Sequence, residues 1–374
     1  MSEKIENSFW IWIKKNMVFV IAFIAALITS FIVPLDKKYF DYFDFKTLTC
    51  LFCVLSVVNA FRNIHFFDII AKKIVCKFIN LRSTILALVF ITLIASMFIA
   101  NDMALLTFLP LGYFVLTFTN KQHYMAFTFI MQCIAADLGG MLTPFGNPQN
   151  LYLYTYFHIG NIEFMKIMFL PFIISIVLIA VCCLFIKPEP LTLNNNENKT
   201  LPIKKSIIYT LLFIFSILIV FRFIPYIWGL FIVPISLLFL DKKALKQVDY
   251  PLLFTFAAFF VFSGNMSRID AVSNFLGSLV NSHTLLVGTL SSQLISNVPS
   301  AILLSRFTEN YPQLLVAVNI GGVGTLIASL ASLITFREYT KNNPGKTWYY
   351  LKMFSFYNFG FLIILFIICA LVMT

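Results

Sequence analysis

An asparagine and an acid, Asn101-Asp102, stand in the middle of one long apolar stretch, and Ser296-Asn297-Val298-Pro299 interrupts another. An acid within an apolar segment is costly, and inside a membrane it usually marks a cation or proton path. Asp102 is therefore the sharpest single candidate for binding a cation or carrying a proton. The plain alternative is that it caps the helix starting there. Asp137 is a second acid in an apolar run, a candidate proton or cation relay or else a structural hydrogen-bond partner for a neighbouring helix. A third interruption reads Thr143-Pro144-Phe145-Gly146-Asn147-Pro148-Gln149-Asn150, and a fourth Gly321-Gly322-Val323-Gly324-Thr325. Pro144 and Pro148 cannot donate to a helix ladder, and Gly146 permits backbone conformations that other residues resist. The carbonyls of such a break, with the side chains of Thr143, Asn147 and Asn150, suit a small cation. The helix amino terminus that follows suits an anion.

Other chemistries find little support. His65, His123, His158 and His283 are dispersed with no i, i+4 pairing, so they outline no metal site. The seven cysteines include one Cys50-x-x-Cys53 pair with no second pair to complete a metal cage, and packed apolar cysteines are the simpler reading. No nucleophile with its base is visible, so an enzyme is not expected, nor is an organic cofactor. The formal net charge of +11 does not point to nucleic acid, because no soluble domain with a basic, aromatic-studded face is present.

The elements that must position these residues are membrane helices. Of 374 residues, 60% are hydrophobic and 11% charged, against roughly one quarter charged in soluble domains. In hydrocarbon only helices or closed barrels satisfy their own backbone, and the runs here lack the period-two alternation of a barrel. The expected fold is an all-α polytopic membrane protein. Its apolar runs are 17–33, 47–61, 84–118, 123–157, 167–186, 206–224, 226–240, 251–265, 284–305, 313–335 and 353–373. Read with 84–118 and 284–305 as re-entrant hairpins, they make about nine spanning helices plus two hairpins. The first run follows Lys14 and Lys15 but lacks a cleavage pattern, so it reads as a retained helix rather than a signal peptide. With the amino terminus inside, 20 of the 27 Lys and Arg fall in cytoplasmic segments, leaving Lys37, Lys38, Lys46, Lys166, Arg222, Arg268 and Arg306 outside. That bias predicts a multi-pass cell-membrane protein with a cytoplasmic amino terminus.

The polar stretch Asn194–Lys199 divides two halves that repeat. Ser96–Asn101 and Ser292–Asn297 both fit S-x-x-I-[AS]-N, and Asp137–Thr143 and Asn319–Thr325 both fit [DN]-[LI]-G-G-x-x-T. Two patterns in the same order in both halves are seldom chance. The loop assignment opens the first hairpin inward and the second outward, so the repeats are expected in inverted topology. The corresponding units are scaffold helices over 1–83, a first transport repeat over 84–157, scaffold and linker over 158–250, a second repeat over 251–335, and a loop with the last span over 336–374.

These motifs resemble the citrate-transporter-like and arsenite-permease-like members of the ion transporter superfamily, which also holds divalent-anion:sodium symporters. The likeness runs over roughly residues 45–374 and rests on Asn101-Asp102-x-x-x-Leu106 with Pro110, on Thr143–Asn150, and on Ile295–Ser300. It implies a homodimer whose scaffold holds a moving transport domain, working as an elevator. It further implies one cation site from Asn101, Thr143, Gly146 and Asn150, beside which Asp102 stands as the cation candidate read from its own chemistry, and another from Ser296, Asn297, Thr325 and Ser329. An anion would meet Asn101, Asn147, Pro148, Asn297 and Ser300. The dicarboxylate members read Ser-Asn-Thr at both tips, where this chain has Ala100-Asn101-Asp102 and Ser296-Asn297-Val298.

The resulting expectation is a secondary active transporter of a small anion, a di- or tricarboxylate such as citrate or an inorganic oxyanion, with Na+ or H+ as coupling ion. A Na+/H+ antiporter using Asp102 and an arsenite-type efflux permease are the alternatives. A channel would not need paired hairpins.

Overall fold

The computed structural model describes residues 16–75, 77–78, 80–191 and 201–373. Lys14, Lys15, Cys76 and the Asn194–Lys199 linker lie outside them. Among the described residues there are 18 α-helices and no strand. They are α1 (Met17–Ile32), α2 (Phe45–Asn63), α3 (Phe66–Val75), α4 (Leu81–Ile99), α5 (Asn101–Phe118), α6 (Met125–Gly139), α7 (Pro148–Tyr156) and α8 (Asn161–Leu184). The second half holds α9 (Ile203–Val220), α10 (Tyr226–Leu240), α11 (Lys242–Lys246), α12 (Tyr250–Ser267) and α13 (Asp270–Ser282). It closes with α14 (Thr284–Ile295), α15 (Asn297–Leu304), α16 (Tyr311–Ile320), α17 (Leu330–Asn342) and α18 (Thr347–Met373). Several helices start where a short polar side chain takes an otherwise orphaned backbone N–H: Asp44 for α2, Asn80 for α4, Asp249 for α12 and Ser329 for α17.

Eight described helical segments are long and apolar enough to cross a membrane. They include both limbs of the first interrupted run, 19 residues in α4 and 18 in α5, so length alone would count two crossings there. The contacts show where the pair opens, which two crossings and a re-entrant hairpin have in common. At the start of α4, Arg82 Nε donates to Ile186 O at 2.7 Å and Leu81 N to Glu189 O at 2.7 Å. Just past the end of α5, the Lys121 ammonium pairs with the Glu189 carboxylate. Both open ends of the hairpin therefore meet the same segment, with the reversal at Ala100.

The second hairpin, α14 and α15, reverses at Ser296, and Arg306 just beyond it donates to Tyr42 O at 3.0 Å. Tyr311, opening the next helix, donates to Glu163 at 2.6 Å. Glu163 begins α8 and residues 186–190 follow its end, some 36 Å away at about 1.5 Å per residue over 24 residues. The hairpins thus open at opposite ends of α8.

Other polar contacts between loops keep to the same division. One set holds Asn63 with Asp241 (2.8 Å) and Asn343 with Met125; the other holds Arg268 with Asp36 and Arg222 with Tyr154 O. These sets coincide with the basic-rich and basic-poor segments of the sequence.

Two stretches expected as loops are helical. α3 and α13 carry apolar residues on one face only, as in Val272, Phe275, Leu276, Leu279 and Val280. Too short and too polar on the other side to span, they have the form of helices lying along a surface. At the opposite extreme, every residue of α6 is buried. A helix apolar nearly all round belongs at the centre of the molecule, and α6 carries Asp137 there. Helices α2, α9 and α10 share a smaller core of their own, with Cys53, Val57, Phe61, Tyr209, Leu212 and Val233.

Candidate functional site

The two hairpin tips have the same backbone. Ala100 adopts φ 64°, ψ 147° and Ser296 φ 75°, ψ 154°, a region that L side chains rarely enter. One residue so placed lets the chain stop one helix and start the next without a loop. The asparagine that follows is held identically in each: Asn101 N donates to Gly146 O at 3.1 Å and Asn297 N to Ala328 O at 2.9 Å. Asn101 Oδ1 accepts from Asp102 N, and Asn297 Oδ1 from Val298 N, both at 2.9 Å.

Each tip is thereby tied to the break in the following helix. Thr143 Oγ1 donates to Met97 O at 2.6 Å and Thr325 Oγ1 to Gln293 O at 3.0 Å, stitching each break to the first limb of its hairpin. Past the breaks, Asn147 and Ser329 occupy matching extended positions and open α7 and α17. The hydroxyl of Ser296 donates to Ala328 O at 3.1 Å.

The breaks themselves are packed backbone to backbone. A side chain on Gly146 would collide with Gly140, whose own added carbon would meet Asn147 Oδ1. The amide of Asn150 donates to the carbonyls of Gly140 (3.2 Å), Met141 and Thr143 (both 3.3 Å), so the first break keeps its shape through one side chain. Gln293 does this for the second break. Its Nε2 donates to Gly321 O at 2.8 Å and Val323 O at 3.1 Å, while Oε1 accepts from Thr325 N at 2.8 Å.

At the centre the two repeats exchange hands. Asp137 Oδ2 accepts from Ser329 Oγ of the second repeat at 2.8 Å, while Oδ1 accepts from Asn101 Nδ2 of its own repeat at 2.8 Å. Asn319, the counterpart of Asp137, accepts at Oδ1 from Asn147 of the first repeat at 3.2 Å. Each repeat's central polar residue thus reaches the helix start of the other. Gln149 Nε2 also donates to Asn319 Oδ1 at 3.4 Å, and Asn319 Nδ2 donates to Asn150 Oδ1 at 2.6 Å. Asp137 is 2% exposed and Asn319, Asn147 and Gln149 each 1%.

The structure therefore gathers Asn101, Asp137, Asn147, Asn150 and Ser329 into one buried network, with Thr143, Gly146, Ser296, Asn297 and Thr325 holding the tips and breaks around it. Pro148 is the first residue of α7, and Ser300 lies one turn into α15 with its hydroxyl buried and unpaired. Asn319, Gln149 and Gln293 were not among the expected site residues. Their signals were in view: Asn319 and Gln149 lie inside the matched motifs, and Gln293 inside S-x-x-I-[AS]-N.

Asp102 stands apart from this network. It lines a cavity of about 60 Å³ with Leu51, Val54, Phe145, Asp249 and Leu252, between the first tip and helices α2 and α12. Its Oδ1 is buried and without a hydrogen-bond partner among the described residues, and it stands in the first turn of α5.

A family model described as citrate transporter matches residues 8–311. The chain is 35% identical over 322 residues to an uncharacterized transporter of Methanocaldococcus jannaschii, covering 86% of this chain and 88% of that one. It is 28% identical over 337 residues to the inner membrane protein YbiR of Escherichia coli, covering 87% and 88% respectively.

Proposed function

The chain belongs to the citrate transporter family, and from that premise we propose that it is a secondary active transporter that moves a small anion coupled to Na+ or H+. The anion is a di- or tricarboxylate such as citrate, or an inorganic oxyanion. The observation that carries this reading is the pair of matched tips, each bonded through one asparagine N–H to the break of the following helix. Broken helices at membrane depth leave N–H and C=O groups free for ligands, and their amino termini favour anions. Four such termini, those of α5, α7, α15 and α17, start at the tips and breaks.

Alternating access by an elevator movement fits the partition of the core. One face of α2 packs with α9 and α10 in a separate cluster while its other face, with Leu51 and Val54, joins the main core, and those two residues line the cavity at Asp102 beside the first tip. The opposed openings of the hairpins support repeats of inverted topology. The basic-rich loop set is assigned to the cytoplasm, and a homodimer is the assembly that the resemblance carries with it. One observation favours the Na+/H+ antiporter as second reading: the unpartnered Asp102 oxygen, aimed into a cavity that also holds Asp249.

Uptake by purified protein in liposomes tests both readings. Labelled citrate, succinate, phosphate, sulfate and arsenite are offered with and without Na+ or pH gradients. Gradient-driven accumulation of one of them is expected. Accumulation of none, together with Na+-driven proton movement, would replace the first reading by the second.

A further inference from the structure

Two arginines on the basic-poor face are held without a carboxylate. Arg222, in the turn after α9, donates from Nη2 to Tyr154 O at 2.5 Å, and its guanidinium lies 4.3 Å from the centre of the Tyr154 ring. Arg306, just past the second hairpin, donates from Nη2 to Tyr42 O at 3.0 Å and lies 5.2 Å from the centre of the Tyr156 ring. No acid is paired with either among the described residues, and the Nε of each is buried without a hydrogen-bond partner there. Tyr154 O stands in the last turn of α7, where a helix end favours a cation. Arg222 is held there with φ at 66°, a strained value for a residue that carries a side chain.

Each contact crosses from one part of the molecule to another. Arg222 and Tyr42 belong to the turns that bound α9 and α2, helices of the separate cluster, whereas Tyr154 ends the first broken helix and Arg306 follows the second hairpin. Among the described residues, the hydrogen bonds that join α2, α9 or the turns at their ends to a hairpin or a broken helix are these two. At the other end of α2, Asn63 bonds instead to Asp241 beside α11, whose Ala244 packs in the same cluster. The depth of the first tip agrees with this one-sided fastening. α12 starts after Asp249 on the basic-rich side and ends at Arg268, which pairs with Asp36 on the opposite face. Asp102 shares its cavity with Asp249 and Leu252, so the first tip stands level with the basic-rich end of α12. The crossing of the repeats is joined to that tip through Asn101 and Asp137 and lies toward the same face.

We propose that Arg222 and Arg306 are paired clasps that hold the transporter closed on its outer face, with the repeats lying toward the cytoplasm, and that both let go when the repeats move outward. The inference rests on the elevator reading and names the residues that set which of its states is favoured. A carbonyl and an aromatic face suit this task, because they hold a guanidinium by direction and not by a second charge. Release therefore strands no buried carboxylate, the outcome that makes breaking a buried ion pair so costly.

The test uses full-length protein in lipid nanodiscs with spin labels at Lys242→Cys and Lys341→Cys, exposed positions of α11 and α17 on the basic-rich face and on opposite sides of the division. The chain without these two substitutions supplies the background signal. Double electron–electron resonance is expected to give one dominant distance when both arginines are present. Arg222→Gln or Arg306→Gln is expected to raise a second distance, shifting the ratio of the two populations about tenfold or more. A hydrogen bond from a charged group commonly contributes at least the roughly 1.4 kcal/mol which that factor represents. Arg222→Lys keeps the charge but not the planar fork, and is expected to fall between wild type and Arg222→Gln; it decides if a Gln variant fails to fold. Arginines that are merely structural would lower the melting temperature and leave the distances as they were, which would overturn the proposal. Two distances already present in the wild type, in the same ratio in every variant, would overturn it as well. One unchanging distance throughout, alongside gradient-driven uptake, defeats the elevator reading and the clasps with it. Shifted distances without uptake of any labelled anion uphold the clasps and count against the anion reading alone.

Discussion

Asp102 and Asp137 are both acids in apolar runs, but their surroundings assign them differently. Both oxygens of Asp137 accept hydrogen bonds, one from each repeat. Asp102 has a buried oxygen with no partner and faces a small, mostly apolar cavity at the boundary with α2 and α12. A carboxylate so placed is held against a desolvation cost, which is tolerated where the group has a task. Asp102→Asn removes the charge and keeps the shape. The variant is expected to melt at or above the wild-type temperature while cation-driven uptake falls about tenfold or more, a factor that corresponds to roughly 1.4 kcal/mol. Unchanged uptake and unchanged ion dependence would leave Asp102 with no part in transport.

The elements carry the repeat more exactly than the residues do. Tip, break and helix start recur with the same φ and ψ and the same donor–acceptor pairs, although Asp102 matches Val298, Gly146 matches Ala328 and Asn147 matches Ser329. What is held in common is backbone: an N–H of the tip on a carbonyl of the break. Backbone strain sits at the two reversals, where Ala100 and Ser296 occupy a region open chiefly to glycine. Such strain costs on the order of 1–3 kcal/mol, against about 0.4–1 kcal/mol for the greater freedom of an unfolded glycine. Ala100→Gly is therefore expected to raise the melting temperature, by a few degrees for a gain of about 1 kcal/mol. Differential scanning fluorimetry checks it, and a lower melting temperature would show that Ala100 is not strained. Ser296→Gly is the poorer test, since it also deletes the hydroxyl bonded to Ala328 O.

At the scale of the whole molecule, the loops are fastened into two sets by a few charged clasps. Glu189 is held below the usual carboxylate range by the hydrogen bond from the Lys121 ammonium, on the face where the first hairpin opens. On the opposite face, Arg268 donates to both oxygens of Asp36 at 3.0 and 2.7 Å and to Tyr42 O–H at 3.0 Å, and the guanidinium holds the Asp36 carboxyl below its ordinary range. The sign of the pH effect follows. A carboxyl lowered in the folded state contributes stability above its unfolded pKa of about 4, and loses it as pH falls through the folded value. The Asp36 carboxylate is solvent-exposed, so the effect is small and weakened by salt. Arg268→Gln is expected to melt below the wild type at pH 7, with the two curves converging as pH falls from 5 to 3. A gap that widens toward low pH would reject the clasp.

The sequence by itself determined the solvent, the helical class and the places where helices break. Those are properties of local composition: apolar length, proline and glycine where a ladder cannot continue, and polar residues where hydrocarbon would exclude them. Legible on the same grounds were the repeat, through Ser96–Asn101 with Ser292–Asn297, and most of the residues now gathered at the crossing. Tertiary structure alone decided three things. That the α4–α5 pair opens at the far end of α8 follows from Arg82 and Lys121 meeting one segment, 186–190, far away in sequence. Asp102 was read together with Asn101, but successive helical residues point in directions about 100° apart; Asn101 faces Asp137, and Asp102 faces α2. Finally, Asn147 was read from its loop as a cation ligand and through the resemblance as an anion contact, whereas which end of its amide is engaged depends on Asn319 and Leu315, some 170 residues away. Hydrogen-bond direction belongs to the network, and no window of sequence contains it.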